Sequence, residues 1–263
     1  MKFNRRETIL LAAAASALSL TGLTSASAAE GDVIDPSKLA NVAGGYVDHV
    51  LGNENAPVTV IEYASPTCSH CGAFHNNVYE PFKAAYVDTG KVKFILRPYL
   101  RHQLDAAIFM LADAAGPDKF HNVISTYFRA QNTWLTSAKP LDALLAIAEE
   151  LGFSKEMFET ILTNQDAFTA IDAVSKQAAK EFGLQGTPTF YVNGKTLSGT
   201  KTLEQLAAEI DPLVPADFVA PAPAAAAAPA APAADAMAPA AGAMAPAADA
   251  MAPAADAMAP APK

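Results

Sequence analysis

Two short apolar segments in the first part of the chain have the pattern of buried β-strands. Residues 58–63 are mostly apolar and rich in β-branched side chains, and residues 92–96 have a similar composition. Between these segments, Phe74, Val78 and Phe82 recur at four-residue spacing, which indicates one face of a helix. The pattern therefore predicts a βαβ unit at the start of the folded region.

The longest run of helix-like periodicity extends over residues 101–185. Apolar positions recur there three and four residues apart, so each segment has one face suited to a core. The predicted core positions are Leu104, Ile108, Leu111, Ala115, Phe120, Val123, Ile124, Tyr127, Phe128, Leu141, Leu144, Leu145, Ala148, Phe158, Ile161, Leu162, Phe168, Ile171, Val174 and Phe182. Two isolated histidines, His102 and His121, are expected to be structural, so we assign them no catalytic role.

A hairpin and a helix close the patterned region. Residues 189–192 and 195–197 flank Asn193-Gly194, the favoured two-residue turn between antiparallel strands. Residues 202–205, Thr-Leu-Glu-Gln, form a capping box and predict a last helix that continues to Ile210. The predicted order is strand, helix, strand, helical block, hairpin and helix.

The first 28 residues have the composition of a cleaved secretory signal peptide. Three basic residues among the first six precede an uncharged run over residues 9–23, and small residues follow that run. A membrane anchor is the alternative, but this Ala-rich run is shorter than the roughly 20 apolar residues that a spanning helix needs. The Arg5-Arg6 pair resembles a twin-arginine signal, and the general secretory route is equally open. We therefore expect residues 1–28 to direct export.

The other end of the chain is a repetitive tail. Residues 216–263 contain 27 Ala and 9 Pro among 48 positions, and Met recurs every seven residues from Met237 to Met258. One Pro in each repeat opposes a coiled coil, so we expect a disordered tail. The Met series alone is not expected to bind metal, because neither His nor Cys accompanies it. Residues 29–215 remain and are long enough for one domain.

The charge of the chain excludes one class of partner. Its formal net charge is -9 at pH 7, with 18 Lys and Arg against 27 Asp and Glu. Nucleic-acid-binding surfaces concentrate Lys and Arg to displace counterions. We therefore expect no nucleic-acid partner.

The chain has only two cysteines, Cys68 and Cys71, which stand where the first strand gives way to the helix. A disulfide that closes so short a loop adds little to stability, which argues against a purely structural bridge. A zinc site normally needs four ligands, and the nearest further candidate is His75. Covalent haem attachment needs a His directly after the second Cys, where this chain has Gly72. Redox chemistry without a metal or other cofactor is the favoured interpretation.

The start of a helix makes the two thiols unequal. Unpaired N–H groups and the positive end of the helix dipole stabilise a thiolate, so Cys68 is expected to be the acidic, exposed nucleophile. Cys71 lies one turn inside, where apolar surroundings should keep it protonated as the resolving thiol. A protonated His70 would favour the Cys68 thiolate further, and the alternative is a solvated His that merely fits the turn.

Two segments carry a resemblance to a known family. Residues 62–71, Glu-Tyr-Ala-Ser-Pro-Thr-Cys-Ser-His-Cys, resemble the active-site segment of the DsbA-like thiol-disulfide oxidoreductases of bacterial periplasms. Residues 186–190, Gly-Thr-Pro-Thr-Phe, resemble the cis-proline loop of the thioredoxin fold. The resemblance covers roughly residues 46–213. It implies an α/β thioredoxin fold with an inserted helical subdomain at about residues 101–185.

The resemblance also implies roles for individual residues. Pro188 would be the cis residue, and Thr187 would contact the Cys pair and substrate and would tune the redox poise. Glu62 would exchange a proton with Cys71. Strand periodicity separately predicts that Glu62 points into the protein beneath the Cys pair, with a partly exposed Glu paired with a Lys as the alternative. Ser69 stands where the best-known strong oxidases of this family have Pro, which leaves the oxidising power open, although the retained His70 implies a destabilised disulfide.

Three functions follow from these residues. The leading hypothesis is a periplasmic dithiol oxidase that passes its disulfide to unfolded or reduced exported proteins and is reoxidised by a quinone-linked membrane partner. The second is a disulfide isomerase or reductase that uses the same site. The third, from another class, is a copper-binding or chaperone module that uses the Cys pair with His75 and the Met-containing tail.

Overall fold

The secondary structure places a five-stranded sheet among ten α-helices in residues 29–220, the part of the chain that the computed structural model describes. The predicted signal peptide and residues 221–263 of the predicted tail lie outside these residues. The strands are β1 (Val50–Gly52), β2 (Val58–Ala64), β3 (Val92–Pro98), β4 (Thr189–Val192) and β5 (Lys195–Ser198). The helices are α1 (Pro36–Ala40), α2 (Ser69–Asn77), α3 (Tyr79–Phe82), α4 (Gln103–Ala114), α5 (Pro117–Arg129), α6 (Gln131–Leu135), α7 (Pro140–Glu150), α8 (Lys155–Leu162), α9 (Gln165–Glu181) and α10 (Leu203–Ile210).

The sheet is mixed, with the strand order β1-β3-β2-β4-β5. Only the central pair, β2 and β3, is parallel, and the helices α2 and α3 make the crossover between these two strands. Glu62 lies in the middle of the sheet, opposite Leu96 on one side and Phe190 on the other. The predicted βαβ unit and hairpin are therefore both present, and β2 delivers the Cys segment from the centre of the sheet.

Helices cover both faces of the sheet. On one face, Phe190 of β4 packs on Phe74 of α2, with 4.8 Å between ring centroids. On the other face, Tyr63 of β2 lies edge-on to Phe182, the residue that ends α9, at 6.4 Å. Since successive strand residues point to opposite faces, Glu62 faces α2 while Tyr63 faces α9.

The helix after the Cys pair is broken near Pro81. Helix α2 ends at Asn77, its C-cap Val78 has φ -119°, and α3 begins at Tyr79. Pro81 has no N–H to donate, and its ring would collide with the carbonyl of Asn77 in a continuous helix. A π-helical turn, Lys83–Val87, then leads towards β3.

The helical block α4–α9 occupies residues 103–181, close to the predicted limits. Most predicted core positions in it are buried, but the predictions for Leu141 and Phe168 are wrong, since these side chains are 53% and 37% exposed. Both residues lie in the first turns of their helices, α7 and α9, where the apolar stripe extends beyond the packed part of the helix. His102 caps α4 by accepting a hydrogen bond from the Leu104 N–H at its Nδ1.

The β4–β5 hairpin and helix α10 have the turn and the helix cap that the local sequence predicts. Asn193 and Gly194 have φ values of 44° and 93°, as a tight hairpin turn requires. A side chain at position 194 would also collide with the Ile34 carbonyl. Thr202 and Gln205 form the predicted capping box at the start of α10.

Residues 29–49, for which the sequence predicts no element, are fastened to the sheet by a buried arginine. Arg97 of β3 is 1% exposed, and its guanidinium donates to both carboxylate oxygens of Asp48, at 2.8 and 2.6 Å. It also donates to the Leu39 carbonyl at 2.8 Å and to the Tyr63 hydroxyl at 3.0 Å. Nearer the start of this segment, the N–H of Gly31 donates to the Thr196 carbonyl at 2.8 Å. Residues 31–33 therefore extend the edge of the sheet beside β5.

Within residues 29–220, no helix combines the length and the apolar character that crossing a lipid bilayer requires.

Candidate active site

The Cys pair lies at the carboxyl end of β2, where the strand turns into α2. Cys68 is the N-cap of this helix, and its N–H donates to the Ser65 carbonyl at 2.9 Å. Cys71 lies in the first turn of α2. Both residues are free thiols, so the structure is that of the dithiol form.

A buried aspartate from the helical block fixes the loop before Cys68. Asp105, in the first turn of α4, is fully buried. It accepts hydrogen bonds from the Thr67 N–H at 2.7 Å and from the Ser65 hydroxyl at 3.0 Å. The N–H groups of Arg101 and His102 donate to the same carboxylate, each at 2.9 Å. The helical insertion therefore sets the path by which the chain enters the site.

A glutamine from α6 holds the same loop from the other side. The Nε2 amide of Gln131 donates to the Pro66 carbonyl at 2.7 Å and to the Cys68 carbonyl at 2.9 Å. Its other amide atoms lie against Gly72, so closely that a Cβ at position 72 would collide with them. The position after the second Cys is therefore glycine because the Gln131 side chain occupies the space of a side chain there.

Substitution of Gly72 tests this arrangement. Gly72→Ala should push Gln131 away from the Pro66 and Cys68 carbonyls and leave buried groups without partners, at a cost of about 1–3 kcal/mol in the free energy of unfolding. Denaturant unfolding of the dithiol form measures this loss. The matched control, Gly186→Ala, puts a methyl group into open space at a glycine whose φ is not positive, so it should cost little. A Gly72→Ala loss no greater than that of the control would contradict the interpretation.

The surroundings of Cys68 strongly favour its thiolate. The pKa of Cys68 is lowered to about 4, chiefly because the Cys71 thiol donates a hydrogen bond to it. Burial opposes this shift, and the Thr187 side chain and the backbone N–H groups of Cys71 and His70 support it. The predicted acidity of Cys68 is thus present, but its predicted exposure is wrong. Cys68 is only 2% exposed, because the loop that holds Thr187 lies over it, with the Thr187 carbonyl oxygen 3.2 Å from Cys68 Sγ.

Cys71 has the opposite character. It is completely buried, and burial raises its pKa well above the usual range of a thiol. The hydrogen bond to Cys68 and the negative charge of Glu62 raise the pKa further. The pair therefore consists of one thiolate and one protonated thiol, as the helix start predicts.

The two residues between the cysteines are exposed. Ser69 and His70 lie in the first turn of α2, and the His70 carbonyl accepts a hydrogen bond from the Thr200 hydroxyl at 3.3 Å. Among the groups that lower the Cys68 pKa, His70 acts through its backbone N–H. A role for its imidazole stays a prediction.

The loop before β4 faces Cys68, as the resemblance implies. The Thr187–Pro188 peptide bond is cis. Thr187 Oγ1 is buried and has no hydrogen-bond partner among the described residues, so it is free to donate to the Cys68 thiolate. The structure thus brings Thr187 and Pro188 together with the Cys pair.

Glu62 is paired with a residue to which the sequence assigns no part in redox chemistry. Its carboxylate is fully buried, and its Oε2 lies 3.0 Å from Nε2 of His75, which is 6% exposed. The alternative of a partly exposed Glu62 paired with a Lys does not describe this site. Among the described residues, no cluster of three or more His, Cys, Asp and Glu side chains could hold a metal ion. His75 enters the site through Glu62, four residues after Cys71 on the same helix, a spacing that could have suggested it.

Comparison with known proteins gives a consistent set of matches. Residues 46–212, more than half of the chain, match the family model described as Thioredoxin. A Rickettsia conorii protein named as a protein-disulfide oxidoreductase is 32% identical over 168 residues, which are 62% of this chain and 59% of that protein. Disulfide bond formation protein D of Bacillus subtilis is 26% identical over 172 residues, which are 62% of this chain and 75% of that protein. The crystal structure of alpha-DsbA1 from Wolbachia pipientis is similar with a TM-score of 0.63 and 26% identity, and the match covers 67% of this chain and 95% of that one.

The matched region is only part of some of these relatives. The chain spans 59% of the Rickettsia conorii protein, 55% of its counterpart in Rickettsia typhi and 54% of that in Rickettsia prowazekii.

Proposed function

This chain belongs to the thioredoxin family, among its DsbA-like members with a helical insertion, and on that premise we propose that it is an exported thiol-disulfide oxidoreductase that introduces disulfides into other proteins. The observation that carries the proposal is the contrast between the two thiols. The low pKa of Cys68 makes the dithiol form favourable, and a pair that favours its dithiol form gives up its disulfide readily.

The reaction needs only the sulfur atoms and a proton carrier. A substrate thiolate attacks Cys68 Sγ, the Cys68–Cys71 bond breaks, and Cys71 leaves with the electron pair and takes a proton from Glu62. A second substrate thiolate then attacks the substrate sulfur of the mixed disulfide and releases Cys68 as a thiolate. The substrate has lost two electrons, and its two thiol protons have gone to water. The pair now consists of the Cys68 thiolate and the Cys71 thiol, which carries the proton given up by Glu62. Cys68 is a good leaving group because its pKa is low.

The remaining residues have supporting roles in this scheme. Thr187 and Pro188 form the surface next to Cys68 on which a substrate strand would lie, and Thr187 tunes the thiolate through its hydroxyl. Ser69 and His70 form the exposed rim through which a substrate reaches Cys68. No cofactor is required, because the electrons stay on sulfur.

The partners follow from the same chemistry. The substrates are unfolded or reduced exported proteins, and a membrane partner linked to quinone accepts the two electrons when the pair is reoxidised. This assignment places the mature protein in the periplasm, with residues 1–28 as its export signal. An isomerase or reductase would use the same residues in the opposite direction, and Ser69 in place of the Pro of strong oxidases keeps that alternative as an outcome of the test.

Two measurements on the mature chain, residues 29–263, test the proposal. Cys71→Ser should accumulate mixed disulfides with a reduced, unfolded substrate protein, while Cys68→Ser, the matched control, should form none. The reduction potential, measured by equilibration with glutathione, decides the direction. A value near that of DsbA, about -120 mV, supports an oxidase. A value near that of thioredoxin, about -270 mV, supports a reductase or isomerase. Absence of any mixed disulfide with Cys71→Ser would reject thiol exchange itself.

A further inference from the structure

Glu62 and His75 form a buried pair in which each side chain has one polar atom without a hydrogen-bond partner among the described residues. Glu62 uses Oε2 to pair with His75 Nε2 at 3.0 Å. Its other oxygen, Oε1, is buried and has no partner among the described residues, and the same is true of His75 Nδ1. Buried polar atoms are nearly always paired, so two unpartnered atoms on one hydrogen-bonded pair of side chains need an explanation.

His75 is held rigidly by aromatic rings. Its imidazole stacks on Phe128 of α5, with 4.2 Å between ring centroids and 14° between the planes, and lies 4.8 Å from the ring of Tyr79. Phe74 meets it edge-on at 5.4 Å. These contacts fix the direction in which Nε2 points, and that direction is towards Glu62.

Few other groups near this pair can take or give a proton. The titratable groups that face it are Cys71 on α2, Tyr79 on α3 and His121 on α5. Burial raises the Tyr79 pKa far above neutrality, and burial lowers the His121 pKa to about 4. Tyr79 therefore stays protonated and His121 stays neutral between pH 6 and pH 9. Cys71 is the group left to exchange a proton with Glu62.

We propose that His75 is a positioning residue for proton transfer: its Nε2–H holds one oxygen of Glu62, so that the other, Oε1, is free to take the proton of Cys71. The inference rests on the proposed function of the Cys pair.

The step concerned is the release of a partner bound to Cys68. When Cys68 is in a mixed disulfide, the Cys71 thiol loses its proton to Oε1 of Glu62, and the resulting thiolate attacks Cys68 Sγ. The bond between Cys68 and the partner breaks, and the partner sulfur leaves as a thiolate with the electron pair. Cys68 and Cys71 are oxidised to the disulfide, and the partner is reduced.

Ellman's reagent separates this step from the one before it. The Cys68 thiolate attacks the reagent and releases one coloured 2-nitro-5-thiobenzoate, and Cys71 then releases the second by attacking the mixed disulfide. Stopped-flow absorbance of the mature chain records both phases. The second phase is intramolecular, so its rate does not depend on reagent concentration.

Three variants make the test specific. His75→Leu removes the donor, and the second phase at pH 7 should slow about 10- to 100-fold, since general-base assistance is typically worth 10²–10⁴-fold. Its rate should then rise about tenfold per pH unit from pH 6 to pH 9, following the ionisation of Cys71 itself, whereas the wild-type rate should change much less. His75→Gln keeps an N–H that can reach Glu62 and should restore the flat profile. His121→Leu, the matched control, removes a buried imidazole that bonds the His49 carbonyl instead, and should leave the profile unchanged.

The outcomes separate the two proposals. A wild-type chain that shows no fast first phase rejects the proposed redox function. A normal first phase, together with a folded His75→Leu variant that keeps the wild-type pH profile, overturns the role of His75 alone. If His75→Leu does not fold, ¹⁵N NMR of the wild-type imidazole decides. A proton on Nε2 supports the proposal, and its absence overturns it, because Glu62 would then carry that proton and could not accept another.

Discussion

Alkylation of Cys68 by iodoacetamide should change in rate by less than about twofold between pH 8 and pH 5.5 and should fall to half its plateau near pH 4. The reason is that the thiolate is the reactive species, and the pKa of Cys68 lies at about 4. An ordinary thiol with a pKa of about 8.5 is only about 0.3% ionised at pH 6. At that pH, Cys68 should therefore contain about 300 times more thiolate than an ordinary cysteine.

Mass spectrometry of the reduced chain, with the modified residue identified, measures this rate. Cys71→Ala provides the informative variant, since it removes the hydrogen bond that lowers the Cys68 pKa most and should move the midpoint upward. Cys68→Ser is the control, and Cys71 in that variant should stay unmodified below pH 9 because its own pKa is raised. A midpoint near pH 8–9 in the wild-type chain would contradict the prediction.

The stability of the dithiol form relative to the disulfide form should rise by up to about 4 kcal/mol between pH 5 and pH 8. The folded pKa of Cys68, about 4, lies below that of the unfolded thiol, about 8.5. Over this range the unfolded dithiol chain binds one proton more than the folded chain, so the free energy of unfolding increases by about 1.4 kcal/mol per pH unit. The stabilisation is complete above the unfolded pKa and is lost as the pH falls towards 4. The disulfide form has neither thiol. Cys71 stays largely protonated in both the folded and the unfolded dithiol chain over this pH range, so the difference between the two forms reports chiefly on Cys68.

Guanidinium unfolding with and without dithiothreitol, repeated at each pH, measures the two stabilities. Cys68→Ser under reducing conditions is the control, because it keeps the fold and the other titrating groups but lacks the thiolate. Its stability should show the pH dependence of the disulfide form. Parallel pH profiles for the dithiol and disulfide forms of the wild-type chain would contradict the assignment of the Cys68 pKa.

Local patterns were sufficient to predict much of the fold. The strands β2 and β3, the hairpin turn at Asn193 and the capping box at Thr202 each depend on residues close together in sequence. The exposure of Phe168 could not be predicted in the same way. Helical periodicity shows which side of a helix is apolar, but the neighbouring elements decide how far along that side the packing extends.

The candidate site, too, could be predicted only in part from the sequence. The thiolate character of Cys68 and the protonation of Cys71 could be predicted from their places at the start of a helix. In the structure, the largest causes are the hydrogen bond from the Cys71 thiol, which lowers the Cys68 pKa, and burial, which raises the Cys71 pKa. Asp105 and Gln131 contact the Cys loop across separations of 38 to 65 residues. Asp105 stands among apolar residues of an amphipathic helix, and nothing in its neighbourhood distinguishes a buried loop anchor from an acid near a helix start. Only the packing of α4 and α6 against the loop reveals these contacts.

Arg97, which binds residues 29–49 to the sheet, shows that the family similarity and the folded domain begin at different positions in the chain. The similarity to the family begins at Tyr46, yet Arg97 takes one of its acceptors, the Leu39 carbonyl, from before that point. A chain trimmed to the recognisable module would keep the Asp48 pair but open a buried cation to water on one side. The part of the chain that sequence similarity identifies is therefore shorter than the part that folds together. The residues just before Tyr46 lie outside the family match, but they pack with the domain that holds the two thiols.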